Sequence, residues 1–213
     1  MIYYIGVSHP GRPPRNLSAK ERIRAAAIHL FAEKGFGQTT TREICRRAAV
    51  TAPVLYHHFN NKQSLYQEVV MDTLNDYRKA MVEASEDRAG LREKLVRILT
   101  SEFEITRKRP RFVTLIFRMI FAPESGQPAL DYIGHGEQEH RFLTRILEEA
   151  RRQGEITGEP EEIASLLMGM KMFYTLAYLC ANDSQLDRRV AERIVHYLLE
   201  GCRANRGASK REK

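Results

Sequence analysis

Three groups of side chains in this 213-residue sequence have the types and spacing to do chemistry. The first lies between Thr40 and Lys62. It combines hydroxyls (Thr40, Thr41, Thr51), cations (Arg42, Lys62) and an adjacent ring pair, Tyr56-His57. Such groups bond phosphate oxygens and base edges. The second, His135-x-Glu137-x-Glu139-His140, holds metal-capable ligands, with His135 and Glu139 on one helix face. No second cluster completes a coordination shell, so no metal is expected and an ion-paired surface is the preferred reading. The third is Arg118, in the stretch Arg111–Phe121, which is apolar on every side after its first residue. A cation on such a helix must be paired. Glu102 or Glu104 on the preceding helix is one solution, and a side chain snorkelling to solvent is another. A sharper one is the anionic head of a greasy ligand, with Phe103, Met119, Phe121, Met168, Met172 and Phe173 as an adaptable wall. The sequence has no glycine-rich phosphate loop, G-x-S-x-G elbow or H-E-x-x-H, so neither catalysis nor a cofactor is expected.

These residues must be held by helices, because no stretch alternates with the period of a strand. Ser18-x-x-Glu21 is a capping box that opens a first helix, and Gly35 stops it. Thr40-x-x-Glu43 opens a short second helix through Ala49. Thr51 caps a third, with Pro53 in its first turn, where a missing N–H costs nothing. Asn60-Asn61 ends that helix and starts a long fourth. Five more follow, over roughly Ala89–Lys108, Pro110–Phe121, Pro128–Gln153, Pro160–Ala181 and Asp187–Ala204. The expected fold is all-α, with about nine helices. It divides into a basic arm (1–16), a three-helix DNA-binding domain (17–77, motif 40–59), a larger C-terminal helical domain for ligand binding and dimerisation (78–205), and a polar tail (206–213).

Charge singles out the first third. Residues 1–62 hold ten Lys/Arg against three acids, whereas the remaining 151 residues balance 24 against 24. The whole net charge of +7 therefore sits where a polyanion would be met. Cys45, Cys180 and Cys202 are odd in number and lack metal spacing, which fits a reducing cytoplasm. Met1–Val7 is too short and lacks the basic start of a signal peptide. Ile163–Ala181 is nearly long enough to cross a membrane, but Lys171 at its centre argues for a buried interface helix instead.

Two short helices joined by a tight turn at Ala49–Thr51 make a helix-turn-helix, whose second helix enters the major groove. At 100° per residue, Val54, Leu55, His58 and Phe59 fall inward, and Ala52, Pro53, Tyr56 and His57 fall outward. The run Thr39-Thr40-Thr41-Arg42-Glu43-Ile44, then Ala48 through Phe59, then Asn61-Lys62-x-x-Leu65, resembles the tetracycline-repressor (TetR) family. The upstream Ala27-x-x-Leu30-Phe31-x-x-x-Gly35-Phe36-x-x-Thr39-Thr40 matches that family's first helix and turn. The resemblance covers about residues 17–77. It departs at Ala49 and Pro53, where many members have Gly, and at Ala52, where many carry Lys or a polar residue.

The resemblance implies that Arg42 reaches a guanine edge or a phosphate and that Thr40 and Thr41 bond phosphate. It implies that Thr51, Ala52 and Pro53 lead the recognition helix into the groove. Tyr56, His57 and Lys62 would contact backbone phosphate. It also implies a repressor relieved by a small molecule. One recognition helix reads few base pairs, so a homodimer on a palindromic operator is expected. Its interface is expected on the stripes Leu166, Met170, Phe173, Ala177 and Val190, Ile194, Tyr197, Leu198. The alternative is a DNA-bound adaptor that recruits a protein and senses no ligand.

Overall fold

The computed structural model describes residues 17–86, 89–128, 132–181 and 185–201. Arg12 and Arg15 of the expected arm, Cys202, the tail from 206 and the break at Asn182–Asp183 lie outside the described residues. Those described form nine helices and no strand: α1 (Ala19–Lys34), α2 (Thr41–Ala48), α3 (Ala52–His58), α4 (Lys62–Ser85), α5 (Leu91–Lys108), α6 (Pro110–Phe121), α7 (Tyr132–Arg152), α8 (Pro160–Ala181) and α9 (Arg188–Glu200).

Local chemistry sets these boundaries. The Ser18/Glu21 and Thr40/Glu43 capping boxes both form, and Asn61 with Ser64 adds a third at the start of α4. Thr51 takes the cap position of α3, but its side chain makes no cap hydrogen bond, which corrects the expectation of a hydroxyl cap there. Helix α9 stops at Glu200 because Gly201, at φ +69°, turns the chain away.

Two cores result. The first gathers α1–α3 and the start of α4 around Ile23, Phe31, Phe36, Ile44, Leu55, Phe59 and Tyr66. The Phe31, Phe36 and Tyr66 rings meet with centroids 5.0–5.9 Å apart, and each fully buried ring is worth about 1.5–3 kcal/mol. The second core lies beyond Met81, where α5 meets α7, α8 and α9. Helix α6 belongs to both parts of the molecule. Leu115 and Met119 are sealed into the first core, while Phe112, Val113, Ile116, Phe117 and Ile120 line a cavity in the larger part.

Helix α6 is not apolar on every side, as Arg111, Thr114 and Arg118 share one of its faces, and its placement corrects the reading of Arg118. Its guanidinium lies on the α1 side, with Nη1 donating to the Glu33 carbonyl at 3.3 Å and Nη2 pairing with Glu124 Oε1 at 3.4 Å. Arg118 is outside the cavity and is paired with neither Glu102 nor Glu104. Four residues of the expected wall are also elsewhere. Phe103 fills the second core, Met119 fills the first, and Phe121 and Phe173 are exposed. Met168 and Met172 do line the cavity.

Candidate nucleic-acid interface

Helices α2 and α3 are held as one rigid corner by their buried faces. Ile44, Cys45 and Ala48 of α2 and Leu55 of α3 point into the first core. Between them Ala49 adopts the left-handed conformation, φ 54° and ψ 51°. The Arg22 guanidinium secures this corner by donating to the Ala48 carbonyl at 3.0 Å and the Leu17 carbonyl at 2.7 Å.

The outward surface matches the wheel drawn from the sequence. Ala52, Pro53, Tyr56 and His57 are exposed, Val54 and His58 are half-buried, and Leu55 and Phe59 are buried. Tyr56 is 50% exposed, unusual for a large ring without a partner surface. Arg42 and Thr51 are exposed as well, and Thr41 is half-buried. Arg42 and Arg46 form no ion pair among the described residues.

Much of the basic charge is spent inside the domain. Lys20 and Arg24 reach Glu68, Arg24 also pairs with Asp72, and together they clamp α1 to α4. Lys34 bonds Glu43 at 2.6 Å, and that bond, with those from Thr40, holds the Glu43 carboxyl down at about 2. The Thr40 hydroxyl is committed to its own cap. Lys62 is engaged as well. Its ammonium donates to the carbonyls of Phe36 at 2.8 Å and Thr39 at 2.9 Å and stands 4.2 Å from the Phe36 ring centre. Burial lowers its pKa. Lys62 thus fixes the turn that launches α2, a role its spacing in the sequence did not disclose.

That turn is also where the two parts of the molecule join. Glu124, in the segment after α6, accepts a hydrogen bond from the Gly37 N–H at 2.6 Å while pairing with Arg118. A β-carbon on Gly35 would stand 1.6 Å from Glu124 Oε1, so this close approach requires glycine. No sequence motif marks Glu124; its partner Gly37 is 87 positions away.

Residues 23–69, spanning α1 to the first turns of α4, match the profile "Bacterial regulatory proteins, tetR family". The HTH-type transcriptional repressor KstR2 of Mycolicibacterium smegmatis is 27% identical over 146 residues, 68% of this chain and 71% of that protein. The fatty acid degradation regulator FadR of Bacillus halodurans superposes with a TM-score of 0.74 at 16% identity, covering 89% of this chain and 99% of that one. A FadR of Bacillus subtilis, solved in complex with stearoyl-CoA, does so with a TM-score of 0.67 at 18% identity, covering 86% and 99%. At these identities the structures establish a shared fold. The matched helix-turn-helix, its open α2–α3 face and the nine-helix fold place this chain in the TetR family of DNA-binding transcriptional regulators.

Proposed function

We propose that the protein is a homodimeric cytoplasmic repressor that leaves a palindromic operator when a small, largely hydrophobic molecule enters its C-terminal domain. One observation carries this reading: α6 lines a cavity of about 370 Å³ with one face and seals the DNA-binding core with the other. The volume lies within the range of small-molecule sites. Any occupant that shifts α6 therefore strains Leu115, Met119 and the Arg118–Glu124–Gly37 join to the α1–α2 turn. A ligand changes DNA affinity only to the extent that it binds the two arrangements differently.

On the DNA side, Arg42 reads a base edge or holds a phosphate. Thr51, Ala52 and Pro53 enter the groove, and Thr41, Tyr56 and His57 hold the backbone. Thr40 contributes through its backbone N–H, its hydroxyl being used in the cap, and Lys62 acts mainly through the turn it fixes. The dimer forms through exposed apolar side chains of α8 and α9: Leu166 (60%), Phe173 (67%) and Tyr197 (55%), with Leu176 beside them. Met170, Ala177 and Leu198 flank this strip. Ile194 and Val190 do not belong to it, because α9 spends that stripe against α5 inside the subunit.

The relatives are consistent with this reading: one is named a repressor, and another was solved with a long-chain acyl thioester. The test is operator binding followed by fluorescence anisotropy with increasing medium-chain hydrophobes. Wild type should be released, and Met168→Trp, which fills the cavity, should resist release. A wild-type complex that ignores these compounds, with no binding by calorimetry, favours the ligand-independent adaptor.

A further inference from the structure

The cavity is greasy on most sides but not at its inner wall, where three helices bring ionisable groups together. Lys171 of α8 lies between Glu102 of α5 and Glu139 of α7. Its ammonium stands 3.3 Å from Glu102 Oε1 and bonds Glu139 Oε1. The side chains are 18%, 6% and 24% exposed for Lys171, Glu102 and Glu139. Beside them the Tyr77 hydroxyl meets Thr106 Oγ1 at 3.1 Å. All three charged groups, with Tyr77, line the cavity.

Two carboxylates face one ammonium, so the fully ionised cluster carries one excess negative charge away from bulk water. Burial, opposed by Lys171 and reinforced by Glu139, pushes the Glu102 carboxyl above its usual range. Burial also works against the Lys171 charge, but the two carboxylates outweigh it and hold that ammonium above its usual range. The other charged or titratable lining groups are Arg78 on α4, exposed and reaching toward Gln138, and His135 on α7. Lys171 engages only Oε1 of each carboxylate. Among the described residues Oε2 of neither accepts a hydrogen bond.

An unmatched charge in a low-dielectric site is costly, and a second charge of the same sign is more so. A carboxylate or phosphate at this wall would add to the excess, whereas a cation removes it. The rings of Tyr77, Phe112 and Phe117 among the lining add a surface that attracts cations.

We propose that the cavity is a receptor for hydrophobic amines, whose ammonium group pairs with Glu139 beside Lys171 while the hydrocarbon body lies against Phe112, Ile116, Phe117, Met168 and Met172. The inference rests on the cavity being the ligand site argued above, and it reverses the sign of head group that Arg118 suggests from sequence. Glu139 is the partner because it is the more exposed carboxylate and retains an open oxygen.

The test is calorimetric titration of the purified protein with decylamine, decanol and decanoate, with operator release measured in parallel. The amine binds at least tenfold more tightly than either the alcohol or the carboxylate. Glu139→Gln removes that advantage by lowering amine affinity to that of the alcohol. Glu102→Gln, which also neutralises the excess charge, reduces it and gives a second reading should the first variant not fold. Decanol or decanoate binding as tightly as the amine overturns the proposal, as does an amine advantage that survives Glu139→Gln. Selective amine binding that leaves the operator complex intact upholds the receptor and defeats the switching reading. Release by decanoate with no amine preference does the reverse.

Discussion

Replacing Gly35 by Ala tests the join between the DNA-binding core and the rest of the molecule. Gly35 sits at φ 86° and ψ 174°, a region populated almost solely by glycine, so Ala there costs about 1–3 kcal/mol in backbone strain alone. The added methyl also occupies the position of Glu124 Oε1. Glu124 ends a flexible side chain and can swing away, so the further loss is capped by the contacts it abandons. These are the bond from the Gly37 N–H to a carboxylate, about 1.5–3 kcal/mol, and the half-exposed pair with Arg118, about 0.2–1 kcal/mol. Gly35→Ala should therefore cost about 3–7 kcal/mol in wild type but only the strain, about 1–3 kcal/mol, in a Glu124→Ala background. Urea unfolding followed by far-ultraviolet circular dichroism, run as a double-mutant cycle, should give a coupling of about 2–4 kcal/mol. An equal cost of Gly35→Ala in both backgrounds would refute the idea that Glu124 latches this turn.

Three further outcomes are expected. Ala49 holds φ 54°, so Ala49→Gly should raise stability by about 0.5 kcal/mol, as relief of the left-handed strain slightly exceeds glycine's greater freedom when unfolded; a lower melting temperature contradicts this. His29 is held down to about 4 by burial, then by Arg47 and Arg111. The folded state therefore keeps it neutral, and its contribution is complete above pH 6.5 and lost as pH falls towards 4, at most about 3 kcal/mol. His29→Gln should flatten the melting temperature over that window, and an unchanged slope would discard the assignment. Phe173→Asp should convert a dimer of about twice 24.6 kDa into a monomer that no longer binds its operator, as read by analytical ultracentrifugation; a wild-type monomer rules out the α8–α9 interface.

What was legible in the sequence was what is local. Ser18/Glu21, Thr40/Glu43 and Gly35 declare helix ends through side-chain chemistry spanning three or four residues, and all act as expected. The outward set Ala52, Pro53, Tyr56 and His57 follows from helical period alone. What was not legible depends on which helices meet. The largely apolar α6 signals burial but not that two cores share it, which is why Arg118, Met119 and Phe121 do not line the cavity where the sequence suggests them. The stripe Val190, Ile194, Tyr197, Leu198 has interface spacing, yet only the docking of α9 on α5 decides that Val190 and Ile194 face inward. The Glu102–Lys171–Glu139 cluster joins residues 69 and 32 positions apart. Its one sequence signal was a lysine in the middle of the most apolar helix, which has to find an acid. From the sequence alone, that lysine argues only against a membrane span. By length and composition α8 would otherwise qualify as one.

The most direct test of the central claim is selection of binding sites by the purified protein from a pool of random duplexes, followed by affinity measurement on the enriched sequence. The account predicts a motif with two-fold symmetry. It also predicts that Arg42→Ala weakens binding to that motif by about 1–3 kcal/mol while affinity for random duplex changes far less. Enrichment of no motif, or an Arg42→Ala protein that binds the selected site like wild type, would contradict the assignment of the α2–α3 face as the DNA-reading surface.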